Sequence, residues 1–255
     1  MILPLGDLAR LFVGLGLGAI IGSFLGAIIL RWPRGESVLR GRSRCDACGR
    51  TLGARDLVPI VSGLLARGRC RRCGGRIDPA HLLAEVGAAL IAGLAFWLTP
   101  NLLAAGLLTV GGWLLLTLAI LDARHHWLPD ALTLPLAALG LTLGEWVLPA
   151  PFPDRALGAL VGYALLALLA FAYRRLRGRE GLGLGDAKLL GALGGWLGWA
   201  ILPLLLLLAS LAALGWALLL RLRGRAIDAG TALPFGTFLC LATVPAAWLG
   251  WHLGL

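Results

Sequence analysis

From Leu11 to Leu30 the chain runs 20 residues without a charged side chain, and Arg31 follows directly. A helix of that length reaches about 30 Å, the thickness of a bilayer's hydrocarbon core. In lipid each backbone N–H and C=O must be paired inside the segment, so such a run folds as a helix. Asp7 and Arg10 cancel before it, and no small-residue cleavage site follows, so the segment reads as a retained span rather than a removed signal peptide. Further spans read at about 82–98, 102–121, 131–148, 156–173 and 233–251, and the stretch 187–220 carries Lys188 as its one charge. With 59% hydrophobic and 14% charged residues, the composition excludes disorder, collagen and an ordinary soluble domain.

The net charge of +10 could mark a nucleic-acid partner or a membrane orientation. Position decides between them. Twelve arginines lie between Arg31 and Arg76, four between Arg174 and Arg179, three between Arg221 and Arg225, and Arg124 stands alone. One cytoplasmic face collects these 20 of the 23 basic residues only if 187–220 crosses twice, breaking near Gly198. The expectation is an all-α, polytopic membrane helix bundle of about eight transmembrane helices with both termini extracytoplasmic. The arginines then set topology and touch anionic lipid headgroups, and nucleic acid is not expected as a partner. Gly14, Gly18, Gly22 and Gly26 recur every four residues in the first span, a ridge of small residues for close helix packing.

Residues 31–80 form the one long polar segment, a small cytosolic module between the first helix (1–30) and a seven-span bundle (81–255). It holds Cys45, Cys48, Cys70 and Cys73, two C-x2-C pairs separated by 21 residues. Each pair can form a tight knuckle that offers two thiolates to one tetrahedral ion, and structural zinc is the expected occupant. Gly49 and Gly74 follow the knuckles, where the turn needs a residue that tolerates positive φ. Disulfides are the competing reading, disfavoured on the reducing cytosolic side. A closed four-thiolate site leaves no position for a reacting water, so this metal folds the module. Cys240 reads as a small buried hydrophobe in the last span.

Acidic side chains beside apolar spans are functional candidates. Asp122 ends the third span and Asp186 opens the sixth, in Gly183-Leu184-Gly185-Asp186-Ala187-Lys188. On the topology above both lie at the cytoplasmic boundary, where paired carboxylates can share a proton and activate water. Capping is the competing role for Asp186 and for Asp130 after Pro129, and a solvated pair with Arg124 is the alternative for Asp122. The adjacent His125 and His126 do not face one way on a helix and read as loop residues.

Taken in order, these pieces resemble the bacterial type IV prepilin leader peptidases, the prepilin peptidase and N-methyltransferase family of the G-x-G-D aspartyl class. The residues that carry the resemblance are Gly22-Ser23-Phe24-Leu25, the two knuckles with Asp56-Leu57-Val58-Pro59 and Arg67-Gly68-Arg69-Cys70, Glu85, Asp122 through Leu128-Pro129-Asp130, Gly183 to Leu189, and Pro234-Phe235-Gly236. The resemblance implies that Asp122 and Asp186 are the catalytic pair of an aspartic endopeptidase in the bacterial cytoplasmic membrane. Its substrates would be prepilins or pseudopilins with basic leaders, cut after a glycine on the cytoplasmic side. Many relatives with the cysteine module also methylate the new N-terminus with S-adenosylmethionine, which the resemblance alone extends to this chain. Lys188 is placed either to hold a substrate carboxylate, to bias the pair's titration or to anchor at the interface.

The chain departs from many relatives at Arg124, at Gly26 and at Leu82 and Leu83. Two other functions compete: a G-x-G-D intramembrane protease for other substrates, which generally lacks a cysteine module, and a proton-coupled transporter, which often shows repeated halves not found here.

Overall fold

A computed structural model describes residues 5–38, 43–178, 181, 183–225 and 231–254; Arg40, Arg42, Arg179 and Leu182, which enter the charge count and the glycine motif above, lie outside them. Two compact units divide within one long helix, Met1–Thr117 and Leu118–Leu255. The described residues contain helices and two isolated bridges, Arg44 with Thr51 and Arg69 with Arg76, and no longer strand.

In the first unit, α1 (Leu5–Arg31) leads into the polar module, whose one α-helical turn is α2 (Val61–Leu65). Helix α3 (Pro79–Leu98) starts where Pro79 fits a first helical position and Asp78 Oδ1 accepts the N–H of Ala80 at 2.9 Å. Helix α4 (Leu102–His125) follows and carries the division between the units. The glycine ridge of α1 does pack, against α3. A β-carbon at Gly14 would stand 2.6 Å from the Ala92 carbonyl oxygen, at Gly22 2.6 Å from Glu85 Cα, and at Gly26 2.7 Å from His81 Nδ1. Side chains there would push the two helices apart, which is why small residues line the seam.

The second unit contains α5 (Asp130–Leu143), α6 (Phe152–Arg177), α7 (Leu184–Leu197), α8 (Leu202–Leu222) and α9 (Phe235–Leu253). Helix α7 is its core: from Leu189 to Leu197 every residue is buried, against α5, α6 and α9. A helix apolar on all sides must be covered on all sides. Gly158 and Gly162 of α6 bring that helix onto α7, the latter with its absent β-carbon 2.7 Å from the Leu190 carbonyl oxygen. The break expected near Gly198 is present: α7 stops at Leu197, and Gly198 takes φ +80°. Arg155, 1% exposed, was not singled out by sequence. It donates from Nη1 to the Gly140 carbonyl at 2.8 Å, near the end of α5, with Glu145 at 3.4 Å.

Among the described residues, eight helices of 14 residues or more stand where eight spans were expected. Five of them, α1, α3, α4, α6 and α8, are long and apolar enough to cross a membrane. At 14 residues, α5 and α7 reach only about 21 Å, short of a bilayer core. Five candidate spans make the chain a multi-pass membrane protein.

Candidate active site

The second unit brings Asp122 and Asp186 together. Asp122 sits in the last turn of α4 and Asp186 in the first turn of α7, at 4% and 8% exposure. Asp122 is thus buried rather than a solvated end of its span. Nor is Asp186 the cap of its helix: that position belongs to Gly183, which has no side chain. Asp130 is likewise not a cap but the first residue of α5, behind Pro129.

What joins the two carboxylates is the first turn of α9. The first N–H groups of a helix lack intrahelical acceptors, and Pro234, at the cap of α9, supplies none from its side chain. Asp122 Oδ2 accepts the Thr237 N–H at 2.7 Å, and Gly236, the residue before it, lies against Asp186 Oδ1. Two neighbouring residues of that turn therefore meet two carboxylates from two other helices. Thr237 adds its hydroxyl, 3.0 Å from Asp122 Oδ2 and 3.0 Å from the Ala119 carbonyl oxygen.

Gly236 also sets the spacing. A β-carbon there would lie 3.1 Å from Asp122 Oδ2 and 3.1 Å from Asp186 Oδ1. Both oxygens are that close to one point, so they are no more than twice that distance apart. The same β-carbon would stand 2.7 Å from Leu128 Cδ1, and one on Gly185 would stand 3.1 Å from Leu128 Cβ. Leu128 is the apolar wall of the pair, admitted by two glycines. Lys188 neither touches a carboxylate of the pair nor stands alone: Nζ donates to Asp130 Oδ1 at 2.7 Å and Oδ2 at 2.8 Å. Thr237 escaped sequence reasoning because its signal was only its place one residue beyond the Pro234-Phe235-Gly236 turn. His125 and His126 are both exposed, but only His126 lies in the loop expected for the two, His125 being the last residue of α4; Cys240 is buried in α9.

The four module cysteines converge in the first unit. Their Sγ atoms lie within 4.8 Å of one another, and Cys45 and Cys73 are 4.0 Å apart. Ligands on a tetrahedral ion at about 2.3 Å stand about 3.8 Å apart, so the cluster fits one metal ion with slight contraction. The two knuckles repeat one geometry. Cys45 N–H donates to Arg50 O and Gly49 N–H to Cys45 O, both at 2.8 Å; Cys70 N–H donates to Gly75 O at 2.8 Å and Gly74 N–H to Cys70 O at 2.9 Å. Gly49 and Gly74 both take φ +69°, as the spacing predicts. The backbone N–H groups of Cys73 and Arg72 hold the Cys70 thiol down at about 6. At Cys73 the Gly75 N–H lowers the value, but the Cys48 and Cys70 thiols outweigh it and push it up to about 11. All five cysteines are free.

A cavity of about 270 Å³ lies beside the knuckles in the same unit, lined by Ser23, Asp56, Cys70, Arg69, Arg76 and Glu85 among others. Glu85 Oε2 accepts the Ile60 N–H at 2.7 Å and holds Ile60 at φ +63°, strained for a β-branched residue. Val61 N–H closes that turn on Pro59 O at 2.6 Å. Three sequence motifs that the aspartate pair leaves unused, at Ser23, at Asp56 to Pro59 and at Glu85, thus meet in one place.

A helical membrane protein with an aspartate pair gathered at the start of one helix and a four-thiolate cluster is the class this arrangement defines. Residues 17–99 match the Bacterial Peptidase A24 N-terminal domain, and residues 109–218 match the Type IV leader peptidase family. A prepilin leader peptidase/N-methyltransferase of Pseudomonas putida is 38% identical over 89% of this chain and 86% of its own length. One from Pseudomonas aeruginosa is 35% identical over the same shares, and one from Aeromonas salmonicida is 43% identical over 79% of this chain and 69% of its own. No solved structure matches the chain. The chain belongs to the type IV leader peptidase family.

Proposed function

We propose that this chain is a membrane aspartyl endopeptidase that removes the leader peptide of type IV prepilins or pseudopilins, with Asp122 and Asp186 as its catalytic pair. The observation that carries the reading is the convergence of both carboxylates on Gly236 and Thr237, with one oxygen of each 3.1 Å from the point a Gly236 β-carbon would occupy. Held this way, one ionised carboxylate takes a proton from water while the other, protonated, donates to the scissile carbonyl oxygen. Water adds to the carbonyl carbon, and the tetrahedral intermediate then collapses as the proton taken from water passes to the leaving amine. The pair works as one titrating unit, so the roles belong to the pair. The cut falls after a glycine, between a basic leader and an apolar helix. The site faces the cytoplasm with both termini outside, a topology supported by the clustering of 20 basic residues on one side. The module's arginines meet anionic lipid, and its four thiolates hold a structural zinc.

The cavity of the first unit favours a second activity, N-methylation of the new N-terminus with S-adenosylmethionine. Its volume approaches the lower bound of small-molecule sites, about 300 Å³. Its lining offers a carboxylate, Glu85, toward a sulfonium cation and the guanidinium groups of Arg69 and Arg76 toward an amino-acid carboxylate. When bound, the donor supplies an activated methyl group; the chain's residues hold it and orient the amine.

One experiment tests both activities. The full-length protein in lipid, given a substrate with a basic leader, a glycine and an apolar helix, should release the leader. Asp122→Asn and Asp186→Asn should each abolish release, and a variant cleaving at full rate refutes the aspartyl mechanism. Mass spectrometry of the mature N-terminus, with S-adenosylmethionine present, reads methylation directly.

A further inference from the structure

Lys188 is the only lysine of the chain and lies two residues past Asp186, yet it is turned to a partner 58 residues away. Its ammonium sits between both oxygens of Asp130, at 2.7 and 2.8 Å. We propose that this ion pair is a latch that fixes the first turn of α7, and with it Asp186, against the end of α4 that carries Asp122. Asp130 and Lys188 are positioning residues for peptide cleavage; the inference rests on the reading of Asp122 and Asp186 as the catalytic pair.

The connection is short on both sides. Helix α4 ends at His125, three residues after Asp122, and the link 126–129 leads straight to Asp130 at the start of α5. The link and the first residue of α5 together touch the start of α7 twice. Leu128 packs on Gly185, where a β-carbon would be 3.1 Å from Leu128 Cβ, and Asp130 holds Lys188. The two contacts bracket Asp186, one residue before it and two after. Residues two apart on a helix point about 200° from each other, so Lys188 acts through the shared turn rather than by touching Asp186.

The pair is ill suited to a merely structural role. Its side chains are 37% and 53% exposed, and ion pairs so exposed add little stability. The burial of α7 from Leu189 onward already holds that helix. One ammonium bonded to both oxygens of one carboxylate instead fixes separation and rotation together. Reaction geometry is where such control matters, because a misplacement of about 1 Å can cost about a hundredfold in rate.

The test uses the full-length protein in lipid with the substrate described above. Lys188→Met and Asp130→Asn should each lower kcat about tenfold or more while KM and the melting temperature hold. Lys188→Arg, and the charge exchange Asp130→Lys with Lys188→Asp, should restore most of the lost rate. Unchanged kcat in the single variants would overturn the latch. So would a rise in KM with no rescue by exchange, which would mark Lys188 as a substrate contact. Full cleavage by Asp122→Asn sinks the aspartyl reading instead, and that outcome is scored apart from the latch variants.

Discussion

Thr237 holds Asp122 Oδ2 twice, with its main-chain N–H at 2.7 Å and its hydroxyl at 3.0 Å. Two donors from one residue fix the rotation of the carboxylate, and a hydrogen bond to a charged group contributes about 1.5–3 kcal/mol. Thr237→Ala keeps the N–H and removes the hydroxyl. Its kcat for leader cleavage should fall about tenfold or more, and Thr237→Ser should stay near the parent rate. Steady-state cleavage assays on the three proteins decide it; equal rates would show that the backbone donor alone positions Asp122.

Gly236 offers a sharper probe. One methyl group there meets Asp122 Oδ2 and Asp186 Oδ1 at 3.1 Å each, and Leu128 Cδ1 at 2.7 Å. Leu128 can yield by changing rotamer, but Asp122 cannot yield without giving up its two Thr237 donors. Gly236→Ala should therefore lose cleavage by about a hundredfold while the protein still purifies as a folded, zinc-loaded chain. Co-substitution of Leu128 by Ala should recover little of the rate, because the obstruction lies at the carboxylates.

Much of this was legible because each element carried its own local signal. Uncharged runs marked the long helices, Gly198 marked the break after α7, and the C-x2-C spacing with Gly49 and Gly74 marked both knuckles. Asp122 and Asp186 stood out because charge beside apolar runs is rare. Three features were not legible. Thr237 is an ordinary residue whose role depends on α9 presenting its first turn to two distant helices. The Asp130–Lys188 pair joins residues 58 apart and looked like a cap and an unassigned cation. The buried Arg155 serves a helix end that only packing brings to it. In the span count, apolarity was the ambiguous quantity: α7 owes its apolar character to burial within protein.

The glycine seam of α1 predicts a graded stability effect. Gly18 faces the Ala88 carbonyl and the Ala89 backbone, whereas Gly16 has nothing within 4 Å of its absent β-carbon. Gly18→Leu should destabilise by about 1–3 kcal/mol through overpacking, and Gly16→Leu should change little, within about 0.5 kcal/mol. Thermal unfolding of the purified proteins in one detergent gives the comparison. Equal losses at both positions would mean that the α1–α3 seam does not control the response, since Gly→Leu raises helix propensity at either one.

Metal content follows from the knuckle geometry. Four thiolates within 4.8 Å of one another fit one tetrahedral ion, so the purified protein should carry about one zinc per chain. Cys45→Ser with Cys48→Ser should remove it, as should a strong chelator, and the module should then become sensitive to protease between Ser43 and Ile77. The membrane helices draw their stability from the apolar contacts within each unit, so the helical circular dichroism should change little. Zinc retained at full stoichiometry by the double variant would refute the ligand set. Loss of zinc with no gain in protease sensitivity would show that the two bridges, Arg44 with Thr51 and Arg69 with Arg76, hold the knuckles without the ion.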